Sequence, residues 1–177
     1  RVALWASSSQ SSEEDVYATL MKMCEISDRS IAKQATLSAL YGAGVSRLSR
    51  TLGGLSLAKS LVERVSRFFE VPELEKKLNS QAASGSICNA FGRPLYEAKK
   101  QPRLRVNHFV QSTSAELANI LFSDLCAKNP EVRPLLVIHD ALIVEVPDRA
   151  KKKFFEDAQT IYHDDVWFPT KTEKVNT

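Results

Sequence analysis

The chain has 177 residues, 44% of them apolar, and carries 24 Lys and Arg against 21 Asp and Glu, a net charge of +3. That composition buries a real core and excludes a disordered chain, while no apolar run approaches the roughly 20 residues that span a bilayer. The three cysteines, Cys24, Cys88 and Cys126, are far apart and lie in no CxxC or His-paired spacing, so neither a disulfide framework nor a zinc site is indicated and buried free thiols are the expectation.

The N-terminus lacks the basic-then-apolar layout of a signal peptide, so the chain reads as intracellular, cytoplasmic and without a membrane partner. It opens on Arg1 without a cap and ends on a strand-like run with no closing element, as if both ends had been trimmed from a longer protein. In chain order, helical periodicity is clear over residues 14–24, 28–41, 45–52, 56–69 and 72–83. Glycines punctuate these pieces; Ser56 is the expected N-cap of the fourth helix, and Pro72 suits the first turn of the fifth. Residues 86–93 read as a short strand entering a turn, and residues 103–128 as a long helix. Two apolar, β-branched runs, 133–138 and 142–146, flank His139-Asp140-Ala141 as a hairpin. A helix over 150–162 and a terminal strand follow. Helices first, then a helix on a small antiparallel sheet, is an α+β layout.

The stretch Asp28 to Gly42 sets Arg29, Lys33, Leu37 and Tyr41 at four-residue intervals. On a helix such positions advance about 40° per step and form one slowly spiralling stripe. Two cations a turn apart suit a polyphosphate, and an apolar residue followed by an aromatic suits the flat face of a base or sugar. On spacing alone the stripe is equally an amphipathic helix with two solvated cations. Basic residues also cluster at Arg47 and Arg50, at Lys99, Lys100, Arg103 and Arg105, and at Lys151 to Lys153; the last group reads as a solvated face.

Asp140, with His139 before it, sits between two apolar strands, where a carboxylate is rigidly aimed, as a catalytic metal ligand must be; an ordinary Asp turn has the same sequence. Arg103, Asn107 and Gln111 again fall at four-residue spacing and make a donor-rich face. Amide donors of this kind can reach the minor-groove acceptors shared by all base pairs, though plain helix surface is built the same way.

Taken together these segments resemble family A DNA polymerases, of the bacterial polymerase I type with a phage-like flavour. Residues 28–42 are similar to motif B, the fingers helix that reads Arg, three residues, Lys, seven residues, Tyr-Gly; residues 137–147 are similar to motif C; residues 103–116 look like the family's helix near the nascent base pair. Leu37 stands where many relatives carry Phe or Tyr, and Ala141 where many carry Glu. The resemblance implies a helical fingers region over 1–85, with motif B at 28–42, and a partial palm over 86–177 that packs the 103–128 helix on a sheet containing the 133–147 hairpin. It also implies template-directed transfer of deoxynucleotides to a primer 3′-hydroxyl. Arg29 and Lys33 would hold the triphosphate and act in catalysis, Leu37 would pack on the incoming sugar and base, and Tyr41 would stand at the template-stacking position. Asp140 would bind metal, His139 would orient the primer end, and Arg103, Asn107 and Gln111 would contact DNA. The implied cofactor is Mg²⁺, two ions, and the implied partners are primer-template DNA and deoxynucleoside triphosphates. The family's second metal-binding Asp, in motif A, would precede Arg1, so a segment or subunit carrying it is a further implied partner and the chain alone is expected to be inactive. A subunit of a naturally split polymerase, or a non-catalytic nucleic-acid-binding module of the same fold, fits the same residues.

Overall fold

The computed structural model describes residues 16–96, 100–138, 141–168, 170 and 172–173. They form two compact units, residues 16–113 and residues 114 onward.

The first unit is helical: α1 (Val16–Cys24), α2 (Arg29–Leu40), α3 (Val45–Leu52), α4 (Leu55–Phe68) and α5 (Val71–Ala83). Helix α4 is the centre, since α1, α2, α3 and α5 all pack against it. Its Ala58, Leu61 and Val65 recur at helical spacing and are fully buried or nearly so. They meet Leu20 and Cys24 of α1, Ala32 and Ala35 of α2 and Leu48 of α3 in one cluster. Truncating a Leu so buried, such as Leu61→Ala, costs about 2–5 kcal/mol.

For α2 to α5 the bounds fall within one residue of those expected, and two starts differ in detail. Helix α4 begins at Leu55 with Gly54 as its cap in extended backbone, so Ser56 lies inside the first turn and is not the N-cap. Helix α5 begins at Val71, and Pro72 sits in its first turn, where its missing N–H costs no intrahelical bond. The expected strand at 86–93 is reduced to a single antiparallel bridge, Cys88 opposite Pro94, which closes a tight turn. Leu78, Ile87, Leu95 and Val106 form a second small core beneath that turn.

A 3₁₀ turn, Pro102–Leu104, leads into the long helix α6 (Arg105–Lys128), of which residues 105–113 belong to the first unit and 114–128 to the second. In the second unit β1 (Arg133–Ile138) pairs antiparallel with β2 (Ala141–Glu145), Ile138 opposite Ala141. After a 3₁₀ turn, Asp148–Ala150, come α7 (Lys151–Gln159), β3 (Ile161–His163) and β4 (Val166–Phe168), the last two paired antiparallel. Leu121 and Leu125 of α6 pack with Val132, Phe154, Ala158 and Ile161, with Leu117, Val144, Val146 and Phe168 around them. A long helix thus lies on antiparallel strands, and the chain as a whole is α+β. Helix α7 stops short of residue 162 because Ile161 and Tyr162 pair with Phe168 and Trp167 instead. Strand β1 is exposed along its whole length, with Leu135 54%, Leu136 53%, Val137 44% and Ile138 44% accessible.

Of the three thiols, all free, Cys24 is buried while Cys88 and Cys126 are only half-buried. Burial pushes the Cys24 and Cys126 thiols up from their ordinary range, against a smaller opposing effect of Arg64 at Cys24.

Lys153 is more than a solvated cation. Its Nζ donates to the Lys128 carbonyl at 3.1 Å, to Asn129 Oδ1 at 3.1 Å and to Asp157 Oδ2 at 2.5 Å. Buried Asn129 in turn donates to the Leu125 carbonyl and to Asp157 Oδ2, both at 2.9 Å, so one network closes the end of α6 onto α7. The Lys153 hydrogen bond, aided by the Asn129 amide and the charges of Lys153 and Lys128, outweighs partial desolvation and holds the Asp157 carboxyl below the usual range. A lowered folded-state pKa adds stability above the unfolded carboxylate pKa, and that stability is lost as pH falls through the folded value. Asp157→Asn is therefore expected to destabilise the chain at pH 7, and the gap to wild type in denaturant midpoint should narrow once the pH is taken below the ordinary carboxylate range. A gap that is the same at both pH values would remove the ionised network as its source.

Candidate nucleotide and nucleic-acid site

Helix α2 is built to start and stop at fixed points. Asp28 caps its N-terminus, Oδ1 accepting from Ser30 N–H at 2.7 Å and Ile31 N–H at 3.0 Å. At the other end Gly42 donates to the Ala39 carbonyl at 3.0 Å and Ala43 to the Ser38 carbonyl at 2.8 Å, the paired bonds of a Schellman stop. Gly42 has φ +78°, a conformation that side chains disfavour, which gives the Tyr-Gly of the sequence stripe a structural reason of its own. The buried face of α2 consists of Ala32, Ala35 and Thr36, small residues that let it lie close to α4.

The stripe changes character along the helix, as its sequence predicts: Arg29 and Lys33 are exposed, Leu37 and Tyr41 half-buried. The Arg29 guanidinium lies over the Tyr17 ring, 5.4 Å from its centroid, an anchor on α1 that the spacing argument did not anticipate. From Arg29 to Val62 the sequence holds five cations, Arg29, Lys33, Arg47, Arg50 and Lys59, and no acidic residue before Glu63. Such a bias favours a polyanion.

The end of α2 meets the start of the second polar stripe. A Cβ at Gly42 would stand 3.5 Å from the Arg103 carbonyl oxygen, so the Tyr-Gly corner and Arg103 are neighbours. Arg103 is not on α6, however: it belongs to the 3₁₀ turn, held by Leu104 N–H donating to the Gln101 carbonyl at 3.0 Å, and the α-helical spacing begins only at Arg105. Pro102 at the head of that turn explains the tighter winding, because its ring fixes φ and its nitrogen donates nothing. Arg103 and Gln111 are exposed and Asn107 is half-buried. Among the described residues two buried side-chain oxygens lack a hydrogen-bond partner, Thr36 Oγ1 and Asn107 Oδ1, one on each of these helices. An unpaired buried acceptor costs about 1–3 kcal/mol, so each of these atoms calls for a partner.

His139 and Asp140 lie outside the described residues, between the paired ends Ile138 and Ala141. Among the described residues no three His, Cys, Asp or Glu side chains converge as a metal site. No described helix is long and apolar enough to cross a membrane.

Sequence reasoning missed Asn89. It is 5% exposed, and its Oδ1 accepts from Phe91 N–H and Arg93 N–H, both at 2.9 Å. Its Nδ2 donates to Ser112 Oγ at 3.0 Å, and next to it Ala90 N–H donates to Thr113 Oγ1 at 3.2 Å. The turn after the bridge is thereby tied to α6 immediately beyond Gln111. An Asn three residues before Gly is a turn signal that could have found it.

Comparison with known proteins agrees with this layout. The family model for DNA polymerase family A matches residues 10–171. DNA polymerase I of Helicobacter pylori is 28% identical over 154 residues, covering 78% of this chain and 17% of that protein. The thermostable DNA polymerase I of Thermus filiformis is 32% identical over 143 residues, 70% of this chain and 17% of that protein. The DNA polymerase of Mycobacterium phage L5 is 30% identical over 124 residues, 67% of this chain and 20% of that protein. The chain thus spans about a fifth or less of these relatives' length. Among solved structures, the POL domain of Pol1 from M. smegmatis, in complex with DNA primer-template and dNTP, shares the fold with a TM-score of 0.63 at 20% identity, covering 81% of this chain and 30% of that one. A family match over nearly the whole chain, together with the stripe, its glycine stop and the strand pair, leads to one conclusion: the chain belongs to DNA polymerase family A.

Proposed function

We propose that this chain forms the fingers, residues 1–85, and part of the palm, residues 86–177, of a DNA polymerase, and that it contributes to template-directed addition of deoxynucleotides to a primer 3′-hydroxyl. The observation that carries the reading is the α2 stripe, exposed and cationic at Arg29 and Lys33, half-buried and apolar at Leu37 and Tyr41, and ending against Arg103. Most of such catalysis is positioning and charge neutralisation. Arg29 and Lys33 take the triphosphate, with Arg29 steadied by Tyr17. Leu37 packs on the incoming sugar and base, and Tyr41 stands where the template base stacks. Arg103, Asn107 and Gln111 meet the minor groove of the nascent pair and check its shape without choosing a base. His139 orients the primer end. Magnesium is read from sequence alone: Asp140 would hold it together with a motif A carboxylate from another segment, and it would neutralise the charge that develops on phosphate and leaving group.

Primer extension tests the whole reading. The 177-residue chain alone is expected to add no nucleotide, and extension is expected once a polypeptide carrying motif A is supplied. Robust extension by the chain alone would sink the account of a shared metal site. Primer-template binding without extension, even with that polypeptide present, would make the chain a binding module.

Leu37 gives a sharper test. In the family a Tyr at this place is associated with ready acceptance of dideoxynucleotides, its hydroxyl standing in for the missing sugar 3′-hydroxyl, and Leu offers no such group. In the reconstituted enzyme Leu37→Tyr is expected to reduce discrimination against dideoxynucleotides at least about tenfold, which needs about 1.4 kcal/mol of differential binding, within reach of one hydrogen bond. The readout is the ratio of kcat/KM for deoxy and dideoxy substrates. An unchanged ratio with activity preserved would turn Leu37 away from the sugar.

A further inference from the structure

We propose that the turn of residues 89–92 is a stacking platform for one base of unpaired, single-stranded DNA, with Phe91 supplying the π-face and the adjacent Arg93 a cation for its phosphates. The site rests on the polymerase reading only for its biological substrate; its chemistry stands on the turn itself. Phe91 is 39% exposed and Tyr96 77%, two aromatic rings left accessible within six residues of each other. The turn that carries Phe91 is unusually well tied for a surface loop. Gly92 N–H donates to the Asn89 carbonyl at 3.2 Å and Asn89 N–H to the Arg93 carbonyl at 2.9 Å, and Leu95 N–H reaches the Ile87 carbonyl at 2.8 Å. Gly92, at φ +82°, supplies the left-handed residue that closes a three-residue hairpin loop. Beneath it Asn89 fills the turn with its own side chain and fastens it to Ser112, while Thr113 Oγ1 accepts from Ala90 N–H. A turn held this firmly loses little backbone freedom when its aromatic is engaged, the condition under which exposed apolar surface converts into affinity.

Charge selects the occupant. From Ser86 to Ala115 the sequence carries Arg93, Lys99, Lys100, Arg103 and Arg105 against one acid, Glu97. Arg93, Lys100 and Arg103 are exposed. Aromatics interleaved with cations suit a flexible strand whose bases can turn out to stack, whereas a closed duplex hides its base faces; each stacked base contributes about 1–3 kcal/mol. The second core of the first unit, Leu78, Ile87, Leu95 and Val106, lies under the turn and does not depend on Phe91.

The test uses the full chain and two fluorescein-labelled probes, a dT20 single strand and a blunt 20-base-pair duplex, read by anisotropy. Phe91→Ala is expected to weaken dT20 binding about tenfold and leave blunt-duplex binding within twofold of wild type. Phe91→Leu, which keeps apolar bulk and removes the π-face, should lose most of the same affinity, and Phe91→Trp should keep it. Arg93→Gln should lower the slope of log affinity against log salt for dT20 by about 0.7. Equal affinity of wild type, Phe91→Ala and Phe91→Leu for dT20 would overturn the platform, as would wild type that does not bind dT20; a loss common to both probes would reduce it to a general cationic surface. If Phe91 matters for dT20 while the reconstituted chain never extends a primer, the platform stands and the polymerase reading falls.

Discussion

Replacing Asp140 by Asn is expected to lower turnover of the reconstituted polymerase at least about a hundredfold while primer-template affinity stays within a few-fold of wild type. The amide keeps the shape of the carboxylate but loses the charge that would hold a divalent ion on the proposed reading, and removing one fixed electrostatic stabiliser from a transition state costs about that much. On the proposed reading duplex affinity would rest on contacts elsewhere, to phosphates and the minor groove, so it should survive. Single-turnover extension and a binding titration on the same preparation separate the two effects. A variant with near-normal kcat would return His139-Asp140 to an ordinary turn between two strands.

Lys33→Ala should act on a different parameter. Lys33 is exposed on α2, one turn beyond Arg29, and its ammonium would face phosphate charge in both the ground state and the transition state. A hydrogen bond to a charged group contributes about 1.5–3 kcal/mol, so kcat/KM for the incoming nucleotide is expected to fall roughly 10- to 100-fold, with KM rising as well as kcat falling. Lys33→Arg should recover part of the loss, because the charge remains while the geometry changes. Thermal stability should barely move in either variant, since the buried face of the helix is Ala32, Ala35 and Thr36. An unchanged kcat/KM for nucleotide would remove α2 from the nucleotide site.

How far the sequence speaks can be judged element by element. Helix α3 was legible to the residue because Gly44 and Gly53 bracket an apolar period with nothing competing. The start of α4 was misread because Ser56 is the better capping residue by type, yet Gly54 already has the extended backbone a cap requires and the helix starts behind it. The end of α7 was misread because Ile161 and Tyr162 continue an apolar period that a helix would also satisfy; only their pairing with Phe168 and Trp167, a non-local fact, makes them strand. The cationic-to-apolar gradient of α2 could be read from spacing, since it depends on one helix. Arg103 could not be placed so simply: four-residue spacing assumes α geometry, and Pro102 winds that turn tighter. Tyr17 beneath Arg29, Asn89 beneath the turn and Asn129 between α6 and α7 are partners across sequence gaps, and no local pattern announces a partner.

Strand β1 has a consequence for the chain as a substance. Four successive apolar side chains, Leu135 to Ile138, are at least 44% accessible, and among the described residues the strand is paired along one edge, to β2. An apolar, uncharged run with one edge unpaired among the described residues is the pattern that adds to its own kind in cross-β stacking. What tempers it is near the start, where Arg133 pairs with Glu145 at 3.7 Å and Pro134 denies the edge one donor. Light scattering of purified material is therefore expected to rise with protein concentration and salt while the helices remain folded. A charge introduced at Val137 is the smallest change that should keep the solution clear.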